Sequence, residues 1–188
     1  MGIQPHMVIR PPLAVLFDRD GTLIRDVPYN GDPDRVEPMP TAHEALALLR
    51  QHGIAIGVIT NQSGVARGLI TRAEVDAVNT RVDALLGPFG TWAVCPHGVD
   101  EGCGCRKPAP GLVLEAARAL GIRPADAVVI GDIGSDIAAA SAAGCDAVLV
   151  PTPATLAAEV RNAGVVAPTV LAAVERLLAP LPTREMAS

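Results

Sequence analysis

The stretch Leu13-Ala14-Val15-Leu16-Phe17-Asp18-Arg19-Asp20-Gly21-Thr22 joins a short apolar run to two carboxylates one residue apart. Leu13 to Phe17 is continuous and apolar, which fits a strand buried on both faces. Side chains at i and i+2 of an extended chain share a face, so Asp18 and Asp20 can look into one site. Gly21 and Thr22 then turn the chain away. Open α/β sheets bind ligands beyond the carboxyl ends of their strands, which is where this pair stands. Asp and Gly are also common turn formers, so the pair alone does not separate a site from a turn. The residues on either side of it do.

The chain has 188 residues, enough for one domain with a real core, expected over 1–188 with 1–12 and 180–188 as loose termini. Met7 is a second candidate start. Hydrophobic residues make up 49%, which excludes disorder. A formal net charge of -5 and 2% aromatics argue against nucleic acid as a partner. No apolar run is long enough to span a bilayer, and the polar, Pro-rich start lacks the apolar core of a signal peptide. His6 stands where a myristoylation signal has Ser or Thr. A cytoplasmic protein is expected, with no membrane partner and no specified oligomer; a monomer is favoured.

Residues 23–40 form a long loop rich in Pro, Asp and Gly, with Asp26 and Tyr29 as candidate substrate contacts. Thr41 to His52 reads as a helix, with Thr41 and Glu44 as a capping box. Ile54 to Ile59 is a second buried strand. At its end stands Thr60-Asn61-Gln62-Ser63-Gly64, whose hydroxyls and amides can hold phosphate oxygens by neutral hydrogen bonds. Arg67 adds a cation nearby. Thr71 to Leu86 is a helix with a second capping box, Thr71 and Glu74, and a core stripe of Val75, Val78, Val82 and Leu85. Trp92 to Cys95 is a third strand.

Cys95-Pro96-His97 and Cys103-Gly104-Cys105 then supply three thiols and one imidazole, a complete set for structural zinc. In a chain with no export signal such a cluster points to metal before disulfide. Arg106 and Lys107 follow at once, so a clamped loop would carry a planar fork and a point charge suited to phosphate. Pro110 to Leu120 is a helix. Ala127 to Ile130 is a fourth strand, ending in Gly131-Asp132-Ile133-Gly134-Ser135-Asp136. A helix runs on to Ala143, Cys145 reads as a small core residue, and Ala147 to Val150 is a fifth strand. One or two amphipathic helices and a frayed tail, without a legible motif, complete the chain.

Strands and helices alternate throughout, which predicts an α/β fold with a parallel sheet. Strand ends one, two and four carry Asp18/Asp20, Thr60 and Asp132. An acidic centre facing Lys107 and Thr60 suits an anionic ligand only if a cation sits among the acids, and magnesium takes oxygen ligands and bridges to phosphate.

With its four motifs in order, Asp18-x-Asp20-Gly21-Thr22, Thr60, Lys107 and Gly131-Asp132-x-x-x-Asp136, the chain resembles the haloacid dehalogenase superfamily of phosphohydrolases. The Thr60 to Gly64 run, the Cys95/His97/Cys103/Cys105 set, Arg106-Lys107-Pro108, Asp26 and Tyr29 resemble its heptose-bisphosphate and histidinol-phosphate phosphatase subgroup. The resemblance implies a three-layer Rossmann-like fold around the sheet. No insertion after the first motif or after Thr60 is large enough for a cap domain. It implies Asp18 as nucleophile, forming an aspartyl phosphate, and Asp20 as general acid and base. Asp18, the Asp20 carbonyl and Asp132 would hold magnesium. Thr60, Asn61 and Lys107 would hold the phosphoryl group, with Asp136 supporting them from behind. Gln62, Ser63, Arg67 and Arg106 join Asp26 and Tyr29 as substrate contacts. The substrate the resemblance implies is a heptose 1,7-bisphosphate, losing its 7-phosphate, with histidinol phosphate or another small phosphate monoester as the alternative. Ile133 departs from the heptose enzymes, which usually have Lys there. A third reading, a catalytically silent zinc-stabilised binding module, would have no need of the Asp20 carboxylate.

Overall fold

The computed structural model describes residues 12–179. Apart from Pro12, which is buried, the termini expected to be loose lie outside these residues, as does Met7. The sheet is built from β1 (Ala14–Asp18), β2 (Ala55–Asn61), β3 (Thr91–Cys95), β4 (Ala127–Gly131) and β5 (Asp146–Leu149). The strands are all parallel, in the order β3-β2-β1-β4-β5. Helices α1 (Ala42–Gln51), α2 (Arg72–Leu86), α3 (Gly111–Ala119), α4 (Gly134–Ala143), α5 (Ala157–Asn162) and α6 (Val170–Leu178) connect and follow them.

Every residue of β1 is buried, as its unbroken apolar run requires of a strand covered on both faces. The strand sits one residue later than expected. Leu13 is 58% exposed, while Asp18 pairs with Ile59 of β2 and so joins the strand. Alternation along the strands sorts the core into two layers. Val15, Phe17, Val58 and Ile130 pack with α1, α2 and α6; Leu16, Ile59 and Val129 pack with α3 and α4. Helices therefore cover both faces, giving three layers.

The chain steps outward from β1 to β2 and β3, then returns to the other side of β1 as β4. This reversal opens a crevice at the carboxyl ends of β1 and β4, the usual ligand position in such sheets. Residues 19–41 contain only a short 3₁₀ turn, Pro33–Arg35, and residues 62–71 no regular element. No cap domain stands in either place. Among the described residues no helix is long and apolar enough to cross a membrane.

One expected cap does not form. Thr41 has φ 67°, in the left-handed region, and makes no side-chain cap bond. That backbone turn carries its hydroxyl away from the free N–H groups of α1. The hydroxyl instead accepts from Leu171 N of α6 at 3.3 Å, so packing between the two helices prevails over the local motif. The Thr71–Glu74 box forms as expected. Thr71 Oγ1 accepts from Glu74 N at 3.2 Å and Glu74 Oε2 accepts from Thr71 N at 2.6 Å.

Candidate active site

Four buried charged groups meet at the carboxyl edge of the sheet. Asp18 ends β1, Asp132 and Asp136 flank the start of α4, and Lys107 comes from the loop before α3. The Lys107 ammonium is ion-paired to Asp18, lies 2.6 Å from Asp136, and donates to Ile59 O at 3.3 Å. Burial works against its charge, but Asp136 and Asp18 more than offset this, so its pKa is raised. Burial lifts the Asp18 carboxyl well above the usual range; Lys107 pulls it down, and Asp136, Asp20 and Asp132 push it up again. Asp132 is pushed up to about 7, by burial first and by the Asp136 charge second.

Oxygens of Asp18, Asp132 and Asp136 lie within 4.8 Å of one another. Asp136 is already committed, with Lys107 at one oxygen and Ile133 N donating to the other at 3.2 Å. Asp18 and Asp132 remain, and Lys107 alone does not neutralise three buried acids. Two hard oxygen donors with surplus negative charge fit a magnesium ion, which takes one or two carboxylates and keeps water and phosphate as its other ligands. The turn after β1 closes tightly on this place. A Cβ on Gly21 would lie 2.3 Å from Asp132 Oδ2, and Gly21 also has φ +84°. Only glycine meets both demands without strain.

Asp20 stands beside this cluster. Its carboxylate accepts from Gln62 Nε2 at 2.8 Å and from Thr60 Oγ1 at 3.5 Å, while Gln62 Nε2 also reaches Thr60 Oγ1 at 2.8 Å. Gln62, expected at the substrate, thus turns inward onto Asp20. The Asn61 side chain, expected at phosphate, clamps the Lys107 backbone instead. Its Nδ2 donates to Lys107 O and its Oδ1 accepts from Lys107 N, both at 3.1 Å. An amide matches both the N–H and the C=O of one residue, and this fixes where the lysine emerges.

The other expected contacts spread around the rim. Asp26 borders a cavity of about 710 Å³ shared with Gly21, Arg25, Arg35, Asp132 and Thr152. Arg67 donates to the Tyr29 hydroxyl, and its guanidinium sits 5.3 Å from the ring centroid. The two residues therefore bridge the loops after β1 and β2. Ser63 is half-buried on the latter loop. Arg106 borders a smaller hollow of about 210 Å³ with Cys103 and Lys107, and donates to His97 O at 3.3 Å. Ile133 is 37% exposed.

Behind Lys107 lie Cys95, His97, Cys103 and Cys105. Their Sγ and Nδ1 atoms all fall within 4.8 Å of one another, with pairs from 2.9 to 3.7 Å. A tetrahedral site with zinc–sulfur bonds of about 2.3 Å has edges of about 3.7 Å, so the donor set fits zinc. Burial, then the Cys105 thiol, pushes the Cys95 thiol up to about 12, so a cation is needed to hold it as thiolate. The loop is pressed onto α3. A Cβ on Gly111 would lie 2.3 Å from Gly104 O, which accepts from Gly111 N at 3.0 Å.

Several contributors escape the sequence reading. Thr152 Oγ1 donates to Asp132 Oδ2 at 3.3 Å and Thr155 Oγ1 to Asp132 O at 2.6 Å, holding that acid from the loop after β5. Their signal was available: hydroxyls just beyond the carboxyl end of a fifth strand. Arg19 is 1% exposed and turns onto Asp20, with no signal in the strand pattern.

Residues 104–177 match the HAD-hydrolase-like family model. The D-glycero-beta-D-manno-heptose-1,7-bisphosphate 7-phosphatase of Pseudomonas aeruginosa is 38% identical over 143 residues, 73% of this chain and 80% of that protein. The Salmonella typhi enzyme of the same name is 35% identical over 162 residues, 80% of this chain and 86% of its own. Among solved structures, the D,D-heptose 1,7-bisphosphate phosphatase from B. bronchiseptica, complexed with magnesium and phosphate, matches with a TM-score of 0.78. It is 31% identical and covers 88% of this chain and 98% of that one. Likeness over most of both chains, with the motif residues gathered at one sheet edge, makes this chain a member of the haloacid dehalogenase superfamily of phosphohydrolases, in its heptose-bisphosphate phosphatase family.

Proposed function

We propose that this chain is a magnesium-dependent phosphatase that removes the 7-phosphate of D-glycero-D-manno-heptose 1,7-bisphosphate through an aspartyl phosphate. The observation that carries the chemistry is the buried Lys107 ammonium held between Asp18 and Asp136, with Asp132 within reach of both acids. Asp18 attacks phosphorus, the bond from phosphorus to the sugar oxygen breaks, and Asp20 gives that oxygen its proton. Asp20 then takes a proton from the water that attacks the aspartyl phosphate, releasing inorganic phosphate and restoring Asp18. Lys107 and the Thr60 hydroxyl hold the transferring group. Magnesium bound by Asp18, Asp132 and the Asp20 carbonyl supplies positive charge that offsets the approach of two anions. Structural zinc on Cys95, His97, Cys103 and Cys105 fixes the loop bearing Arg106 and Lys107; a full four-ligand set leaves it no open position for catalysis.

The relatives named for the heptose bisphosphate support the sugar substrate. Asp26 and Tyr29 suit sugar hydroxyls. Arg106, with Arg67, suits the distal phosphate in a chain that has Ile133 where the heptose enzymes carry a Lys. The test compares kcat/KM for the heptose bisphosphate and for histidinol phosphate, in wild type and Arg106→Ala. The sugar is expected to be preferred, and Arg106→Ala to lose more on the bisphosphate than on a monophosphate. Preference for histidinol phosphate would move the substrate to that alcohol; no magnesium-dependent hydrolysis of either would end the phosphatase reading.

A further inference from the structure

Arg19 lies between the two motif carboxylates and is 1% exposed. A buried guanidinium is costly unless it is paired, so its partners show what it serves. Nε lies 3.2–3.3 Å and Nη2 3.0–3.1 Å from both Asp20 oxygens, so each nitrogen is shared between the two and the carboxylate crosses the guanidinium edge. The third nitrogen, Nη1, donates to Asn79 Oδ1 at 2.6 Å. Asn79 occupies the buried stripe of α2, among Val75, Val78 and Val82, and is itself 8% exposed. An amide in an apolar stripe calls for a partner, and Arg19, which only donates, fixes the amide with its oxygen inward. A neutral acceptor orients the guanidinium without competing for its charge, which stays with Asp20.

The geometry points to Arg19 and Asn79 as positioning residues for proton transfer. Asn79 anchors the guanidinium on α2, and the guanidinium aims the Asp20 carboxylate at the leaving oxygen. Gln62, at 2.8 Å, braces the same carboxylate from the loop after β2. Two nitrogens shared between both oxygens, with the Gln62 amide on the same carboxylate, confine its position and so keep a donated proton aligned. Neither residue touches the reacting group. The inference rests on the phosphatase reading above, with Asp20 as the acid.

Leaving groups separate this role from simple support of the fold. An alkyl phosphate needs its leaving oxygen protonated; p-nitrophenyl phosphate, which releases a stable phenolate, does not. Values of kcat/KM report the first half-reaction and are unaffected by slow hydrolysis of the intermediate. With full-length, magnesium-loaded protein, Asn79→Ala is expected to lower kcat/KM on the heptose bisphosphate by roughly tenfold or more, within the range of general-acid help, and on p-nitrophenyl phosphate by less than about threefold. Arg19→Lys, which keeps the charge and loses the paired nitrogens and the tie to Asn79, is expected to do the same. In an Asp20→Asn background, Asn79→Ala should then cause no further loss on the sugar phosphate, because the residue acts through Asp20. Equal losses on both esters, no loss on either, or a full additional loss in the Asp20→Asn background would overturn the inference. Should Arg19→Lys fail to fold, Asn79→Ala decides alone. If Asp20→Asn itself slows both esters alike, the assignment of Asp20 fails, which is a different result.

Discussion

At Asp18 burial opposes the charge that nucleophilic attack requires, and Lys107 is placed to restore it. Asp18→Asn keeps the shape of the side chain and removes the attacking oxygen anion. Turnover is expected to vanish while the melting temperature changes little. Asp20→Asn should slow hydrolysis of the sugar phosphate by roughly 10²–10⁴-fold, the usual worth of general acid–base help. Full activity of either purified variant would contradict these roles. Asp132 gives a pH signature. Its carboxyl is raised to about 7, so below that pH the metal-free site holds a proton that magnesium must displace. The sign follows from the raised value. The protonated acid contributes stability below its usual pKa of 3.8, lost as pH rises through about 7, and magnesium restores it there. Magnesium affinity should therefore fall below pH 7, by up to about tenfold per unit for one displaced proton, and level off above it. Titrating the thermal shift given by magnesium at several pH values measures this; affinity independent of pH across that range would count against Asp132 as a ligand. Asp18 was legible because it closes a buried apolar run, and Asp20 because it recurs in the ordered set of motifs, since β1 stops short of it and i, i+2 alternation does not reach it. Arg19 was not, because β1 ends at Asp18, and past that point alternation no longer says where a side chain points.

Elements were legible where a local signal met no competitor. The five strands were found from short apolar runs, each within a residue or two of its observed bounds. The two capping boxes had the same sequence form, yet only Thr71 caps its helix, because the contact of Thr41 with α6 depends on a chain segment 130 residues away. The Cys95–Cys105 loop is the opposite case: spacing alone pointed to the four donors that come together there. It also shows how one element serves another, since Arg106 is tied to the carbonyl of His97 and Lys107 is clamped by Asn61. Cys103→Ser should leave the sheet and the nucleophile in place while lowering bound zinc well below about one per chain. It should also raise KM for the sugar phosphate through misplaced Arg106 and Lys107. Elemental analysis beside steady-state kinetics checks both, and a zinc-free wild-type protein of full activity would remove the loop from the account.

At the scale of the whole molecule, the strand order puts the crevice between β1 and β4, and the short connections leave it uncovered. Phosphatases with a separate cap exclude water by closing one domain on another. Here the candidates for covering substrate are small parts: the Tyr29–Arg67 bridge on one side and the Thr152 loop on the other. Neither rearrangement would move much mass. A compact monomer of 188 residues has a radius of gyration of about 16 Å. Solution scattering of the magnesium-loaded protein is expected to give about this value and to give it again with phosphate bound, because no cap domain stands among the described residues. A contraction on binding phosphate would mean that a larger unit closes over the site. A substantially larger radius at both conditions, scaling with protein concentration, would mean that copies of the chain associate.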